Sequence, residues 1–502
     1  MKNQNSYPMK NLTFIALLIL SPILGEAQNF ADALRFSSNR LEGTARAGAM
    51  GNAFGSLGGD FTAVSINPAG LGIYRAGEFA FTPTFGRTDV DASYLNTNQN
   101  DYQYNLKFSN LSYVGTIRSA GSESGLVSVN LGFGFNRLND FNTRRLVQGA
   151  RAQSSFLDYI ADNANYNLWS EFYEELAWKT DLLLFDLQGN EYYHDIQDAG
   201  YGQSQRKSYN YAGSTDEYTF SLGLNFNYRF YLGASFGISD LAYTERTNLR
   251  EWDEQNNIPF FNEMKFSTSL RTYGTGYNFK VGAIFRPLDQ LRLGLAFHSP
   301  TFYRLRDNFE TTMESSITYS DGSETYKELS PYLDYEYRLE TPFKTILSAS
   351  YIVGKKGLLS ADYEYLNFGK ARLRDGGGSV DFVPENNDIS DLFKATGIIR
   401  VGGEYKLTDL FALRAGTEYH PSAYNSRAFN TEQPNSNFNY TVYSAGFGYR
   451  SGSFFADLAY RYAVTGDYNY LYPVPAAPYP MPEMAKFDQK THKVLLTFGL
   501  RF

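Results

Sequence analysis

From Tyr218 onward the chain alternates with a period of two. Tyr218, Phe220, Leu222, Leu224, Phe226, Tyr228 and Phe230 share one parity, and Thr219, Ser221, Gly223, Asn225, Asn227 and Arg229 share the other. Successive side chains of a strand point to opposite faces, so this reads as a strand with one apolar face and one small, polar face. Aromatic residues at both ends of the apolar face suit a strand that crosses two membrane interfaces beside a wet lumen. The same alternation returns at Val127, Val129, Leu131, Phe133 and Phe135, at Leu232 to Ile238, at Leu291 to Phe297 and at Ala456 to Tyr462. A soluble sandwich also alternates, but it hides its apolar face in a core and has no need of aromatic girdles on strand after strand.

About fourteen such segments follow one another, an even number as bacterial single-chain barrels require. They start near Phe79, Phe108, Leu126, Tyr218, Leu232, Tyr277, Leu291, Thr345, Leu358, Thr396, Leu410, Thr441, Phe454 and Lys493. Short links such as Arg286 to Gln290 and Gly354 to Gly357 alternate with long ones such as Asn139 to Thr215 and Asp467 to Gln489. Short turns mark a periplasmic rim and long loops the outside. The fold class expected is therefore all-β: a transmembrane antiparallel β-barrel over residues 78–502. In the last strand Val494, Leu496, Phe498, Leu500 and Phe502 share a face, and the chain stops at an aromatic residue. This resembles the C-terminal signal by which outer-membrane barrels are recognised for assembly, which makes Phe502 the assembly signal and the barrel assembly machinery a partner.

Composition narrows the reading. Of 502 residues 17% are aromatic, with Tyr 41 and Phe 40 against Trp 3, an excess unlike ordinary globular packing. Only Leu12 to Leu24 comes near the apolar length of about 20 residues that a spanning helix needs, which excludes a polytopic helical membrane fold. Lys10, the run Leu12 to Leu20 and the small residues around Gly25-Glu26-Ala27 form a signal peptide over residues 1–27, with the mature chain beginning at Gln28. The absence of Cys excludes a disulfide framework, a thiolate metal site and a lipidated N-terminal Cys. A formal net charge of -8 argues against nucleic acid as a partner.

Between signal and barrel, residues 28–77 hold no clean strand but a Gly, Ala and Ser-rich run from Gly43 to Asp60, suited to a compact plug that packs backbone closely against its walls. With Phe36-Ser37-Ser38 ahead of it and Ser65-Ile66-Asn67-Pro68-Ala69-Gly70-Leu71 after it, this segment resembles the N-terminal hatch of FadL/TodX-type outer-membrane transporters for long-chain fatty acids and other hydrophobic compounds. The hatch motif falls on Asn67, Pro68 and Ala69. The resemblance covers the mature chain in architecture and the hatch in recognisable residues. It implies a monomer in the outer membrane of a Gram-negative bacterium, surrounded by outer-membrane lipid, that captures an apolar ligand at its outer loops. It further implies binding in the lumen and sideways release beside a kinked third strand, where Gly132 and Gly134 face inward.

Between Ala152 and Leu187 aromatic and aliphatic residues recur at helical spacing, so an amphipathic helix is expected over the barrel mouth, with Trp169, Phe172 and Trp178 as candidates for ligand capture. Inward charges gather as Arg400 with Glu404, Arg414 with Glu418, and Asp457 with Arg461. They either satisfy one another or leave one of Arg400, Arg414 and Arg461 free to hold an anionic head group. Enzymatic readings find no footing. Gly233-Ala234-Ser235-Phe236-Gly237 matches a nucleophile pattern that needs a strand, a sharp turn and a helix, but it lies inside an alternating strand. Four isolated His residues offer no metal motif, and no cofactor or metal is expected. His298 faces the lumen, either as a haem ligand or as a polar wall residue. A plug excludes a general porin, whereas a shuttle or scaffold for protein secretion stays open beside a haem-binding receptor.

Overall fold

The computed structural model describes residues 30–119, 124–378, 381–428, 438–476 and 478–502. The expected signal peptide, 1–27, lies outside the described residues. The nineteen segments of the main sheet line up as fourteen antiparallel strands. They are β1 (Glu78–Tyr94), β2 (Thr97–Arg118), β3 (Leu126–Asp140, then Thr143–Gly149), β4 (Ser204–Phe226), β5 (Phe230–Trp252), β6 (Phe261–Phe285) and β7 (Leu291–His298, then Phe302–Tyr319). β8 runs Gly322–Leu329, Leu333–Glu340 and Lys344–Val353, and β9 runs Gly357–Asn367 and Arg372–Asp375. The circuit is completed by β10 (Ala395–Lys406), β11 (Phe411–His420), β12 (Tyr440–Ser451), β13 (Phe454–Tyr470) and β14 (Met484–Arg501). β14 pairs back onto β1 from Glu78↔Arg501 to Ser93↔Lys486, so the sheet closes into a ring. No helix among the described residues is long and apolar enough to cross a membrane; the strands do so.

The two parities sort as the alternation requires. Phe133, Phe220, Phe236, Phe279 and Leu295 point outward and are exposed, while Asn130, Thr219, Ser235 and Ser239 on the other face are buried. On β8 the outward apolar band runs from Phe343 to Val353, about 24 Å at a ~3.4 Å rise and ~45° tilt, the height of a hydrocarbon layer.

Two boundaries differ from expectation. Tyr228 and Phe230 do not extend the strand from Tyr218. The strand ends at Phe226 because Asn227 and Tyr228 take left-handed backbone (φ 56° and 54°), the pair of conformations that closes a two-stranded hairpin tightly. Above the membrane the strands run on well past the expected loops, as in the second segment of β3 and the upper half of β4, where both faces turn polar and the alternation fades.

The space inside is filled. Ahead of β1 come α1 (Phe30–Ser37), α2 (Ala45–Ala49) and two 3-10 turns, Phe61–Ser65 and Pro68–Ile73, nearly all buried. The long connection after β3 carries α3 (Phe156–Asn165), α4 (Glu174–Lys179) and α5 (Asp195–Asp198), and the connection after β9 carries α6 (Val383–Leu392).

Candidate functional site: the plugged lumen

The N-terminal segment folds as a chain of capped turns because its amides are cut off from water and each needs an internal partner. Thr44 caps α2 by accepting from Ala47 N, and its hydroxyl donates to Asp60 at 2.8 Å. Asp60 in turn accepts from Thr62 N at 2.9 Å and caps the next turn. Asn67, fully buried, accepts from Ala69 N at 3.1 Å and caps the turn that Pro68 opens with its fixed φ. The Asn67 amide also donates to Gly55 O at 2.7 Å and, across to β6, to Ala283 O at 3.2 Å. Ala69 packs on Tyr231 and Ile284 of the wall.

The wall meets this segment with glycine. Gly223, Gly233 and Gly282 face one another directly across β4, β5 and β6, and Gly402 faces Gly416 across β10 and β11. A methyl at Gly233 would overlap the backbone of Pro68 and Ala69, and one at Gly402 or Gly416 the backbone of Met50 and Gly51. The plug is therefore seated backbone to backbone against a belt of bare strand. Gly132 and Gly134 belong to the same logic. Both face inward, beneath the buried side chains of Phe61 and Leu71, and the ladder with β2 and β4 is continuous across them. Sequence reasoning saw Gly223 and Gly233 as part of a small lumenal face and set Gly132 and Gly134 beside a sideways exit; the alignment of glycines across strands needed the register.

The kink in the third strand lies higher. β3 bulges at Leu138, and its ladder with β2 ends at Asn110↔Asn136, so residues 97–109 of β2 have no backbone ladder with β3. The edge of β3 left open there is taken by the plug. Arg40 N donates to Leu138 O at 2.7 Å, Glu42 N to Arg137 O at 3.1 Å, and Asn139 Nδ2 to Ser38 O at 3.1 Å. The Glu42 carboxylate, buried, reaches to β2, where it accepts from Lys107 Nζ at 2.9 Å and Ser109 Oγ at 2.7 Å, and to Lys493 of β14 at 2.5 Å. Lys107 also pairs with Asp140 of β3. One residue of the plug thus ties three strands together where the β2–β3 ladder stops.

Each of the three lumenal arginines is held in an ion pair, the self-satisfying one of the two arrangements that the sequence left open. Arg414 pairs with Glu404 at 2.7 Å and Asp457 at 2.6 Å, Arg400 with Glu364 at 2.8 Å, and Arg461 with Glu418. All three are buried. They serve the plug instead: Arg461 donates to Leu41 O at 3.0 Å, Glu404 holds Arg46 at 3.0 Å, and Glu418 accepts from Asn52 Nδ2 at 3.0 Å. His298 faces inward as expected, but its Nε2 is engaged with Ile66 O at 2.8 Å. The cavity beside it, bounded by Phe36, Lys280, Lys344 and Glu364, holds about 40 Å³, room for a few waters at roughly 10–15 Å³ of accessible space each and none for a haem.

Above the capped turns the interior is an apolar chamber filled by side chains, those of α1 among them. Leu241 and Tyr243 of β5, Tyr303 and Leu305 of β7, Leu339 of β8 and Ile398 of β10 turn inward, and Ala33 and Phe36 of α1 and Ile389 of α6 fill the space between them. Phe36 sits edge-on to Tyr243, ring centres 5.7 Å apart. The mouth is roofed by the loop after β3. Where one amphipathic helix was expected there are two short ones, α3 and α4, separated at residues 166–173, where Asn167 takes a left-handed φ of 58°. Phe156, Ile160 and Leu176 point down into the roof's core, whereas Trp169 and Trp178 remain exposed on top beside Tyr192. Phe172 packs on Phe309 at the junction of roof and chamber. The roof is pinned by Glu251 at the top of β5, which accepts from Ser155 Oγ at 2.5 Å, Phe156 N at 3.0 Å and Gln205 Nε2 at 2.8 Å. Burial pushes its carboxyl up to about 7.

Known proteins share this architecture. A Pseudomonas aeruginosa FadL homologue aligns at 15% identity over 92% of this chain and 98% of its own, with a TM-score of 0.53. The P. putida toluene transporter TodX aligns at 14% identity over 91% of this chain and 97% of its own, with a TM-score of 0.51. At such identity the likeness is one of fold. No curated protein sequence matches the chain. Residues 198–471, more than half of the chain, match the sequence profile of the outer membrane protein transport proteins (OMPP1/FadL/TodX). The protein therefore belongs to the OMPP1/FadL/TodX family of outer-membrane transport proteins and is a transporter rather than an enzyme.

Proposed function

We propose that the protein takes up small hydrophobic compounds, long-chain fatty acids among them, through the outer membrane. The observation that carries this reading is the seam between β2 and β3, where the wall lacks its own ladder and the plug supplies the missing partner through Arg40 and Glu42. An apolar ligand gathered at the exposed roof aromatics Trp169 and Trp178 passes by Phe172 into the apolar chamber, displacing Phe36, and leaves sideways into the bilayer when residues 38–42 withdraw from β3. Lateral exit keeps the ligand away from the ion pairs below, whose desolvation an apolar molecule could not offset.

The test is uptake of a labelled long-chain fatty acid and of a monoaromatic hydrocarbon by cells that depend on this protein. A disulfide engineered between residue 40 and residue 138 should stop uptake under oxidation and release it under reduction. Uptake indifferent to that crosslink would sink the lateral route. If neither compound is taken up by any form, a scaffold or secretion-shuttle role becomes the better reading.

A further inference from the structure

A row of arginines on the outer surface has no part in the lumen. Arg304, Arg338 and Arg374 stand directly opposite one another across β7, β8 and β9. All three are exposed and share the outward parity of Phe302. Directly opposite positions hold their Cβ atoms about 5 Å apart, and like charges there are destabilising. The nearby carboxylates neutralise Arg374 but not Arg304 or Arg338. Asp334 is taken by Arg306, and Glu340 by Arg374 at 2.6 Å. Arg338 donates Nε to Asp375 O at 3.0 Å, and neither it nor Arg304 forms an ion pair among the described residues. Arg304 and Arg338 are thus two exposed guanidiniums on adjacent strands without a carboxylate partner among the described residues, in a chain of net charge -8.

The height of the row is set by the strands. β7 rises from the short turn at 286–290, and Phe302, facing Tyr277, together with Phe343 stacked on Phe297, ends the apolar band. The arginine row is the next outward row above Phe302, at the head groups of the outer leaflet, where cations meet lipid phosphate.

We propose that Arg304 and Arg338, flanked by Arg374, bind the phosphate groups of the outer-leaflet glycolipid, the lipid A portion of lipopolysaccharide. A guanidinium fork donates two parallel hydrogen bonds to a phosphate, and Arg304 together with the terminal nitrogens of Arg338 on the adjacent strand matches a lipid that presents more than one anionic oxygen group. The inference rests on the outer-membrane placement argued above.

The experiment is native mass spectrometry of the full chain in detergent with bisphosphorylated lipid A, monophosphorylated lipid A and phosphatidylglycerol. Bisphosphorylated lipid A should be retained best, and Arg304→Gln with Arg338→Gln should weaken it on the order of tenfold. Arg304→Lys with Arg338→Lys, which keeps the charge but loses the fork, should fall between. Equal retention by the Gln variant, or equal retention of phosphatidylglycerol, overturns the proposal. Heat-modifiable migration and uptake of apolar compounds, both distant from this row, should stay normal in every variant, which separates failure here from failure of the transporter reading.

Discussion

Gly233→Ala tests the glycine belt where it meets the backbone of the Asn67–Ala69 turn. The added methyl would sit inside the contact envelope of Pro68 C, Pro68 O and Ala69 N, backbone atoms that no rotamer change can remove. The Asn67–Ala69 turn must then recede on the order of 1 Å to restore ordinary contact. Overpacking of this kind costs roughly 1–3 kcal/mol. Stretching the Asn67 bond to Ala283 O, already 3.2 Å long, removes about 1 kcal/mol more. A total near 3 kcal/mol raises the population of the unseated plug roughly a hundredfold. Hydrogen exchange of residues 55–73 should quicken accordingly and single-channel conductance in planar bilayers should rise, while heat-modifiable migration shows the barrel intact. Gly115→Ala is the control, since its nearest neighbour would lie 3.7 Å away, an ordinary contact. If Gly233→Ala assembles and both readouts match the control, the plug is not seated by backbone contact with the wall and the reasoning fails.

Other perturbations follow from the same geometry. Glu42→Ala strips Lys107 and Lys493 of a buried partner, a loss of about 3–5 kcal/mol for a broken buried pair, and should quicken exchange at 38–42 and 137–140 ahead of the rest of the plug. Glu251 binds its proton more tightly in the folded protein than its ordinary 4.5, so the stability of the roof should fall as pH rises from 4.5 through about 7 and level off above. Glu251→Gln should flatten that profile and stabilise the roof at pH 8 by on the order of 3 kcal/mol, read as protease resistance of residues 150–203; an unchanged slope refutes the assignment. Phe502 stacks on Tyr113 and its backbone exchanges hydrogen bonds with Gly77, so Phe502→Ala should lower the amount of assembled protein without changing ligand affinity, measured by quantifying heat-modifiable material in membranes. Trp169→Ala with Trp178→Ala should raise the half-saturating concentration for uptake several-fold and leave the maximal rate alone, because both rings lie outside the roof's core.

The barrel was legible because its information is local. Alternation marks a lipid-facing strand from within a few residues, and every expected start falls on a strand of the sheet except Leu410, which lies one residue ahead of β11. Above the membrane the signal fades, since strands such as Ser204 to Asp216 have no lipid to face and carry polar residues on both sides. The plug's seating could not be read at all. Gly233 and Gly282 are 49 residues apart, and only the register brings them together. The pairing of Arg40 and Glu42 with β3 is made by backbone, which leaves no mark in side-chain pattern. The lumenal arginines were visible, but their partners Glu404, Glu418 and Asp457 come from strands whose neighbours had first to be known.

The closure of β14 onto β1 also has a consequence for the order of events during folding. Residues 30–77 lie ahead of β1 and end up enclosed by a sheet closed into a ring, beneath a roof that fills the mouth. A segment fitted so closely to its walls has no route in once the ring is shut. It must take its place while the sheet is still open, acting as a mandrel around which fourteen strands are wrapped. Curvature is then dictated partly from within: the glycines on β5 and β10 find their contacts only when the wall has bent to the radius that the capped turns set. A chain lacking this segment should accordingly close more slowly, and the delay should appear in pulse-labelled assembly as a longer-lived open intermediate that a protease can enter.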